Sequence, residues 1–257
     1  IQLVKLAGPI FFVLIGKILC YLGMTLRATD FGLTELACHN IMMRIFTFFA
    51  TFGDSLSQAS QTFLPRVLVK NKTNNSDVTT TTANNNNNNS KGSNNNKKNT
   101  NGGLIQLTKR LAILSAAVGL LDWSASNFVV HRFGTYFTEE ASILALMKQH
   151  SFFMSLSLFV YPFIMLFEGA IIATRDLGFL VGTYALTMGI LFGQLWFGTN
   201  SFGGVWRAIF CFQALRTVQF GFRFVSKTLR GNSEEEKKKK AININGMQVD
   251  KVSTNGA

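Results

Sequence analysis

Asn40-Ile41-Met42-Met43-Arg44-Ile45-Phe46-Thr47-Phe48-Phe49-Ala50-Thr51-Phe52-Gly53-Asp54-Ser55-Leu56-Ser57-Gln58-Ala59-Ser60-Gln61 is the stretch from which the rest of the chain can be read. Asn40, Arg44, Thr47, Thr51, Asp54, Gln58 and Gln61 follow one another at spacings of three and four, which predicts one face of one helix. Between them lie Ile41, Met42, Met43, Ile45, Phe46, Phe48, Phe49, Ala50, Phe52 and Leu56, so a polar line runs down an otherwise oily rod. At a rise of about 1.5 Å per residue the line is roughly 30 Å long, the thickness of a bilayer's hydrocarbon core. A charged side chain at that depth faces protein or water and seldom lipid. The stripe therefore predicts the lining of a pathway through a membrane.

Composition agrees with a membrane setting. The chain has 257 residues, 47% hydrophobic and only 15% charged, with 25 Phe. Its mean hydropathy of +0.23 averages two unlike parts. One is a set of apolar blocks; the other is a polar tract from Lys70 to Gly103 together with a tail from Gly231 onward. The formal charge of +12 raises nucleic acid as a partner. Yet the basic residues gather at the ends of apolar runs, without aromatic interleaving or a binding motif, and nucleic acid is set aside. Cys20, Cys38 and Cys211 show neither metal-ligand nor disulfide spacing. His39, His131 and His150 form no paired-ligand pattern, and no catalytic cluster, phosphate loop or nucleophile elbow is present, so no enzyme activity, metal or cofactor is expected. Ile1 enters an apolar run almost at once, without Met or a signal-peptide pattern, which reads as a piece of a longer protein.

Six apolar blocks reach spanning length: Leu6 to Leu26, Leu36 to Leu64, Leu104 to Val130, Ala141 to Thr174, Leu177 to Phe197 and Phe202 to Phe224. One such run is compatible with a buried soluble helix; six in succession are not. Arg66, Lys70, Lys109 and Arg110 flank the connection between the second and third blocks, and Arg223, Lys227, Arg230 and Lys237 to Lys240 lie in the tail. The first and third turns hold Arg27, Arg132 and Lys148 beside Asp30, Glu35, Glu139 and Glu140. The positive-inside rule then places both ends and the long connection in the cytosol. The expected architecture is an all-α membrane protein with six transmembrane helices in one bundle. Residues 1–70 hold helices 1 and 2, 71–103 form a disordered Asn-rich cytoplasmic loop, 104–230 hold helices 3 to 6, and 231–257 are a disordered basic cytoplasmic tail.

Charged residues inside the blocks are the candidate ion-coupling groups. Asp54 is either such a group or the partner of Lys17 or Arg44 in a structural salt bridge. Asp122 shares a helix face with Ser115, Gly119 and Ser126, and is either a second intramembrane carboxylate or an interface residue beside Trp123. Glu168 aligns with Ser157, Tyr161 and Arg175, and is either a transport residue or the partner of Arg175 at a helix end. Lys17 snorkels to a surface or neutralises one of the acids. Gly16 and Gly23, with Cys20 between them, form a small-residue face suited to close helix approach. Pro9, Pro65 and Pro162 are placed at helix ends or bends, where broken helices expose carbonyls to a cavity.

Four stretches resemble one family: Lys5-Leu6-Ala7-Gly8-Pro9, Leu36-Ala37-Cys38-His39-Asn40, Phe52-Gly53-Asp54-Ser55-Leu56-Ser57-Gln58-Ala59, and Phe167-Glu168-Gly169-Ala170-Ile171-Ile172-Ala173-Thr174-Arg175-Asp176. In that order they resemble the second six-helix half of a multidrug and toxic compound extrusion (MATE) transporter, nearest the eukaryotic branch with plant plastid-envelope members. The resemblance implies a two-bundle, twelve-helix fold in which organic solutes are exchanged for protons or sodium, with an N-terminal six-helix half as the missing partner. Many eukaryotic members carry an acid where this chain has Lys17, which is a departure. The implied function is a multi-pass antiporter in a lipid bilayer, exporting a small organic substrate, with a plastid envelope as the implied location. Asp54 leads as the coupling residue, followed by Glu168 and Asp122; Asn40, Arg44, Thr47, Thr51, Gln58, Gln61 and Tyr161 line the path. The alternatives are a truncated or partner-dependent membrane protein whose polar stripes serve packing, and a lipid-precursor flippase of the same superfamily.

Overall fold

The computed structural model describes residues 2–81 and 93–226, and these are helical almost throughout. The helices are α1 (Gln2–Thr29), α2 (Leu33–Thr81), α3 (Ser93–Phe133), α4 (Ala141–Ala173), α5 (Leu177–Phe197) and α6 (202–226), with a single 3₁₀ turn at Gly134–Tyr136 before α4. α5 coincides with the fifth apolar block, and each other helix contains its block or stops one residue short of it. Runs of Leu, Ile, Phe, Met and Ala without charge favour helix in a medium that offers the backbone no other partner. Among the described residues, four helices are long and apolar enough to cross a membrane, at Ala7–Thr29, Gln106–Tyr136, Ala141–Ala173 and Leu177–Phe197. α2 and α6, two of the six expected spans, fall outside this group, as polar residues such as Arg44 and Asp54 on α2 and Arg207, Gln213 and Arg216 on α6 interrupt their apolar runs. The outside of the bundle is oily, with Phe197 91% and Phe222 75% exposed and Phe11, Ile113 and Leu121 similarly bare. These features fit a multi-pass membrane protein.

Two expectations about helix ends need correction. Pro9, Pro65 and Pro162 all lie inside helices, so Pro65 does not close α2. No Gly or Pro follows it before Thr81, and extending an existing helix costs little per residue. Helix thus enters the Asn-rich tract to Thr81, and from the other side α3 begins at Ser93, where a loop over 71–103 is expected. Residues 82–92 and the tail from 227 lie outside the described residues.

The layers pack through small residues. α2 and α3 both lie along α4 and touch each other, and α1 lies along α5. The Gly16 and Gly23 face meets α5: a Cβ on Gly16 would stand 2.8 Å from Met188 Sδ, and one on Gly23 2.5 Å from the Phe192 ring. Gly32, at φ +133°, makes the turn that starts α2, a backbone region that favours glycine. Arg27 ties two turns together, pairing with Asp30 at 2.7 Å and donating to the Thr199 carbonyl at 2.7 Å. The core between the layers holds Trp206, Tyr184, Phe46 and Phe220, with Met24, Met42, Met147, Met154 and Met165 filling the irregular gaps.

Candidate functional site

α2 presents its polar line outward. Asn40, Arg44, Thr47, Thr51, Asp54 and Gln58 are exposed and Gln61 is half-buried, while Met42, Phe46, Phe49 and Leu56 on the opposite face enter the core. The hydroxyls of Thr47 and Thr51 donate to the carbonyls of Met43 (2.8 Å) and Phe48 (2.6 Å), leaving oxygen lone pairs facing out. Asn40, Met43, Arg44, Thr47, Phe48 and Thr51 line an open groove of about 610 Å³. The lining mixes one cation, neutral hydrogen-bonding groups, a thioether and a ring. That chemistry suits an amphipathic solute.

Asp54 lies just beyond this groove and is held by α4. Tyr161 Oη donates to Asp54 Oδ1 at 2.9 Å. Gly53 makes the reach possible, since a Cβ there would stand 2.7 Å from the Tyr161 ring. Among the described residues Asp54 forms no ion pair with Lys17 or Arg44, so the structural salt bridge considered for it is not found. Its side chain keeps one oxygen free toward the open face.

The charge partners belong instead to Glu168. This carboxylate is 4% exposed on α4. Lys17 of α1 meets its Oε1 at 2.8 Å, and Arg216 of α6 meets its Oε2 at 2.7 Å. Tyr184 of α5 donates its phenol to the same Oε2 at 2.8 Å. The Arg216 guanidinium also contacts the Tyr184 hydroxyl and stacks 4.1 Å from the ring centroid, with the Phe212 and Phe220 rings around it. One carboxylate thus joins four helices and balances two cations. Planar Arg suits this place because it is both a hydrogen-bond fork and a stacking surface.

The Glu168–Arg175 pairing is therefore corrected. The seven-residue spacing assumes an unbroken helix, but α4 ends at Ala173 and Arg175 stands past it, exposed, with φ 56°. Its place is a left-handed turn residue between α4 and α5. Asp176, next along, pairs with Arg223 at 2.9 Å. Arg175→Gly is accordingly expected to relieve backbone strain of about 1 kcal/mol and to raise the thermal midpoint; a lower midpoint would give the side chain a role beyond the turn.

The α3 stripe is buried, unlike that of α2. Ser115, Asp122 and Ser126 are all at or below 1% exposure. Gly119 fits against the Phe159 carbonyl of α4, 2.5 Å from the position of a Cβ, and Ser126 Oγ donates to Ser155 Oγ at 2.9 Å. Asp122 thus faces protein and not lipid. Both of its carboxylate oxygens lack a hydrogen-bond partner.

Arg216 and Tyr184 are the residues that sequence reasoning misses. Trp206, Gln213, Arg216 and Phe220 are spaced by seven, three and four and share one buried face of α6. A polar pair within that apolar face is the signal that marks them. Arg216 escapes notice because the basic residues of that region are weighed for topology alone.

No protein-family model matches the chain, and no solved structure matches it. Over 218 residues the chain is 28% identical to Protein DETOXIFICATION 47, chloroplastic, of Arabidopsis thaliana, covering 84% of this chain and 35% of that protein. The chain spans little more than a third of the length of this curated relative. The match includes most of the helical part and supports the resemblance carried by the four motifs. The chain is thus similar, over most of its length, to a plant protein of the MATE type.

Proposed function

We propose that this chain forms the second six-helix half of a secondary active antiporter, which moves amphipathic organic solutes in exchange for protons or sodium. The observation that carries the proposal is that the polar face of α2 is not spent on packing within the bundle. A stripe that only glued helices together would be covered, as that of α3 is. Arg44, Asn40, Thr47 and Thr51 bind solute in the groove, Gln58 and Gln61 continue the path, and Asp54, steadied by Tyr161, exchanges the coupling ion. The uncovered face is where the other six-helix half docks across the pathway. The relative's printed name, chloroplastic, supports a plastid membrane as the location. A flippase for lipid-linked precursors is less well supported, since Lys17 lies in the Glu168 cluster and Arg44 is the groove's single cation.

Proteoliposomes carrying the intact protein should extrude a fluorescent amphipathic dye when a proton or sodium gradient is imposed. Asp54→Asn is expected to reduce gradient-driven efflux by about tenfold or more while sparing dye binding, as loss of an essential proton or ion carrier does. Arg44→Ala is expected to weaken dye binding instead. Undiminished exchange in Asp54→Asn would remove that residue from the mechanism.

A further inference from the structure

We infer that the α2 groove takes an amphipathic organic monoanion, a flat apolar body carrying one carboxylate, and that Arg44 sets this charge preference. The groove's place on a solute path rests on the antiport reading; its charge preference does not. Lys17 and Arg216 each find Glu168. Arg44 finds no such partner. Among the described residues it forms no ion pair and no hydrogen bond, and it stands on the exposed face of α2, ~16 Å along the helix from Leu33. An unanswered charge at membrane depth is costly and marks a place where a ligand or pathway supplies the answer. Arg44 is also the only charged group in the groove, whose other lining residues are Asn40, Met43, Thr47, Phe48 and Thr51.

The rest of the lining fixes the shape of the solute. Arg44 and Phe48 are four residues apart and so are neighbours on one helix face, with Cβ atoms about 6 Å apart. A planar carboxylate accepts two parallel bonds from the guanidinium fork, while a flat body attached to it reaches Phe48. That ring is 62% exposed and stands edge-on to Phe52, itself 48% exposed, at a centroid separation of 6.0 Å, which leaves apolar area uncovered beside the cation. A second anionic head is turned away. The Thr47 and Thr51 hydroxyl hydrogens are spent on the Met43 and Phe48 carbonyls, so their oxygens only accept, and a phosphate or a second carboxylate would meet lone pairs there. One guanidinium would in addition balance only half of a dianion. An organic cation is opposed by Arg44 itself, because Asp54 lies ten residues on, about 15 Å along α2, and already accepts from Tyr161.

Equilibrium binding to the intact protein in lipid nanodiscs tests this without transport. The probe is radiolabelled naphthoate, and naphthamide and naphthylmethylammonium, substituted at the same ring position, are its neutral and cationic counterparts. Naphthoate should bind saturably, naphthamide about tenfold more weakly or worse, and naphthylmethylammonium should fail to displace the acid, as loss of a charge-assisted pair demands. Arg44→Gln should weaken naphthoate by about tenfold or more and leave naphthamide unchanged, and Arg44→Lys should restore part of the difference. Phe48→Ala should weaken acid and amide alike. If Arg44→Gln does not fold, the three wild-type affinities carry the test. Displacement by naphthylmethylammonium as strong as by the acid, equal loss of acid and amide in Arg44→Gln, or no saturable naphthoate binding overturns the proposal. The last is also the result expected if an acid on the docked half pairs with Arg44. Efflux of a cationic dye without naphthoate binding leaves the antiport reading standing and removes the anion. Arg44-dependent naphthoate binding without gradient-driven efflux does the reverse.

Discussion

Glu168→Ala should leave the chain unable to hold its bundle together. The substitution strands Lys17 and Arg216, and the Arg216 side chain is only 3% exposed. Removing one member of a buried ion pair costs about 3–5 kcal/mol, a large part of the roughly 5–15 kcal/mol that stabilises a folded domain. The expected readouts are a broad, early peak in size-exclusion chromatography, loss of a cooperative melt, and no transport. The triple variant Glu168→Ala, Lys17→Met, Arg216→Met removes all three charges and is expected to recover the melt, because apolar groups of similar volume replace buried ion clusters at little cost. It should not recover transport if the cluster also moves during the cycle. An unchanged melt in Glu168→Ala would mean that water reaches the cluster and that the carboxylate is not the joint between the helices.

Gly169→Ala is the second large effect, and a single methyl group is enough. The added Cβ would stand 2.5 Å from the Ser57 carbonyl oxygen and 3.0 Å from Ser57 Cα. Both are backbone atoms, so neither can swing away, and α2 must shift along α4. That shift strains the bond from Ser60 Oγ to the Leu166 carbonyl at 3.1 Å, and the Tyr161 to Asp54 contact beyond it. Overpacking of this kind costs about 1–3 kcal/mol. Gly182→Ala on α5 is the matched control, since nothing lies within 4 Å of its Cβ position. There the methyl should stabilise by up to about 1 kcal/mol through helix propensity alone. The two substitutions are chemically identical and are expected to move the thermal midpoint in opposite directions. Equal shifts would show that the α2–α4 contact is looser than its geometry.

The sequence carried the helices more fully than their contacts. Apolar run length is a local property, and α5 runs from Leu177 to Phe197 just as the block does. Which face of a helix is polar is local too, and the α2 stripe is intact. What another helix sets against that face is not local. The stripes of α2 and α3 look alike in sequence, yet one is exposed and the other buried, because Gly119 and Ser126 draw α3 onto α4. Lys17 was legible as a misplaced charge in an apolar run. Its choice of Glu168 over Asp54 depends on where α4 crosses α1, which no spacing encodes. Arg175 shows the opposite failure: a periodic relation to Glu168 carried past the point where the helix stops.

The Glu168 joint also bears on how the chain is made. Lys17 and Glu168 are separated by 151 residues, and Arg216 comes 48 residues after Glu168. A chain delivered to the bilayer from its N-terminus presents Lys17 long before Glu168 is there to meet it, and a lone cation at that depth is costly. α1 must therefore wait, held at the translocation site or tilted toward a headgroup, until α4 arrives. α4 in turn brings two partners' worth of acceptor and finds only one until α6 follows. Assembly then ends with a single late event that locks the first, fourth, fifth and sixth helices together, and nascent chains stopped before Arg216 should be the ones that quality-control proteases remove.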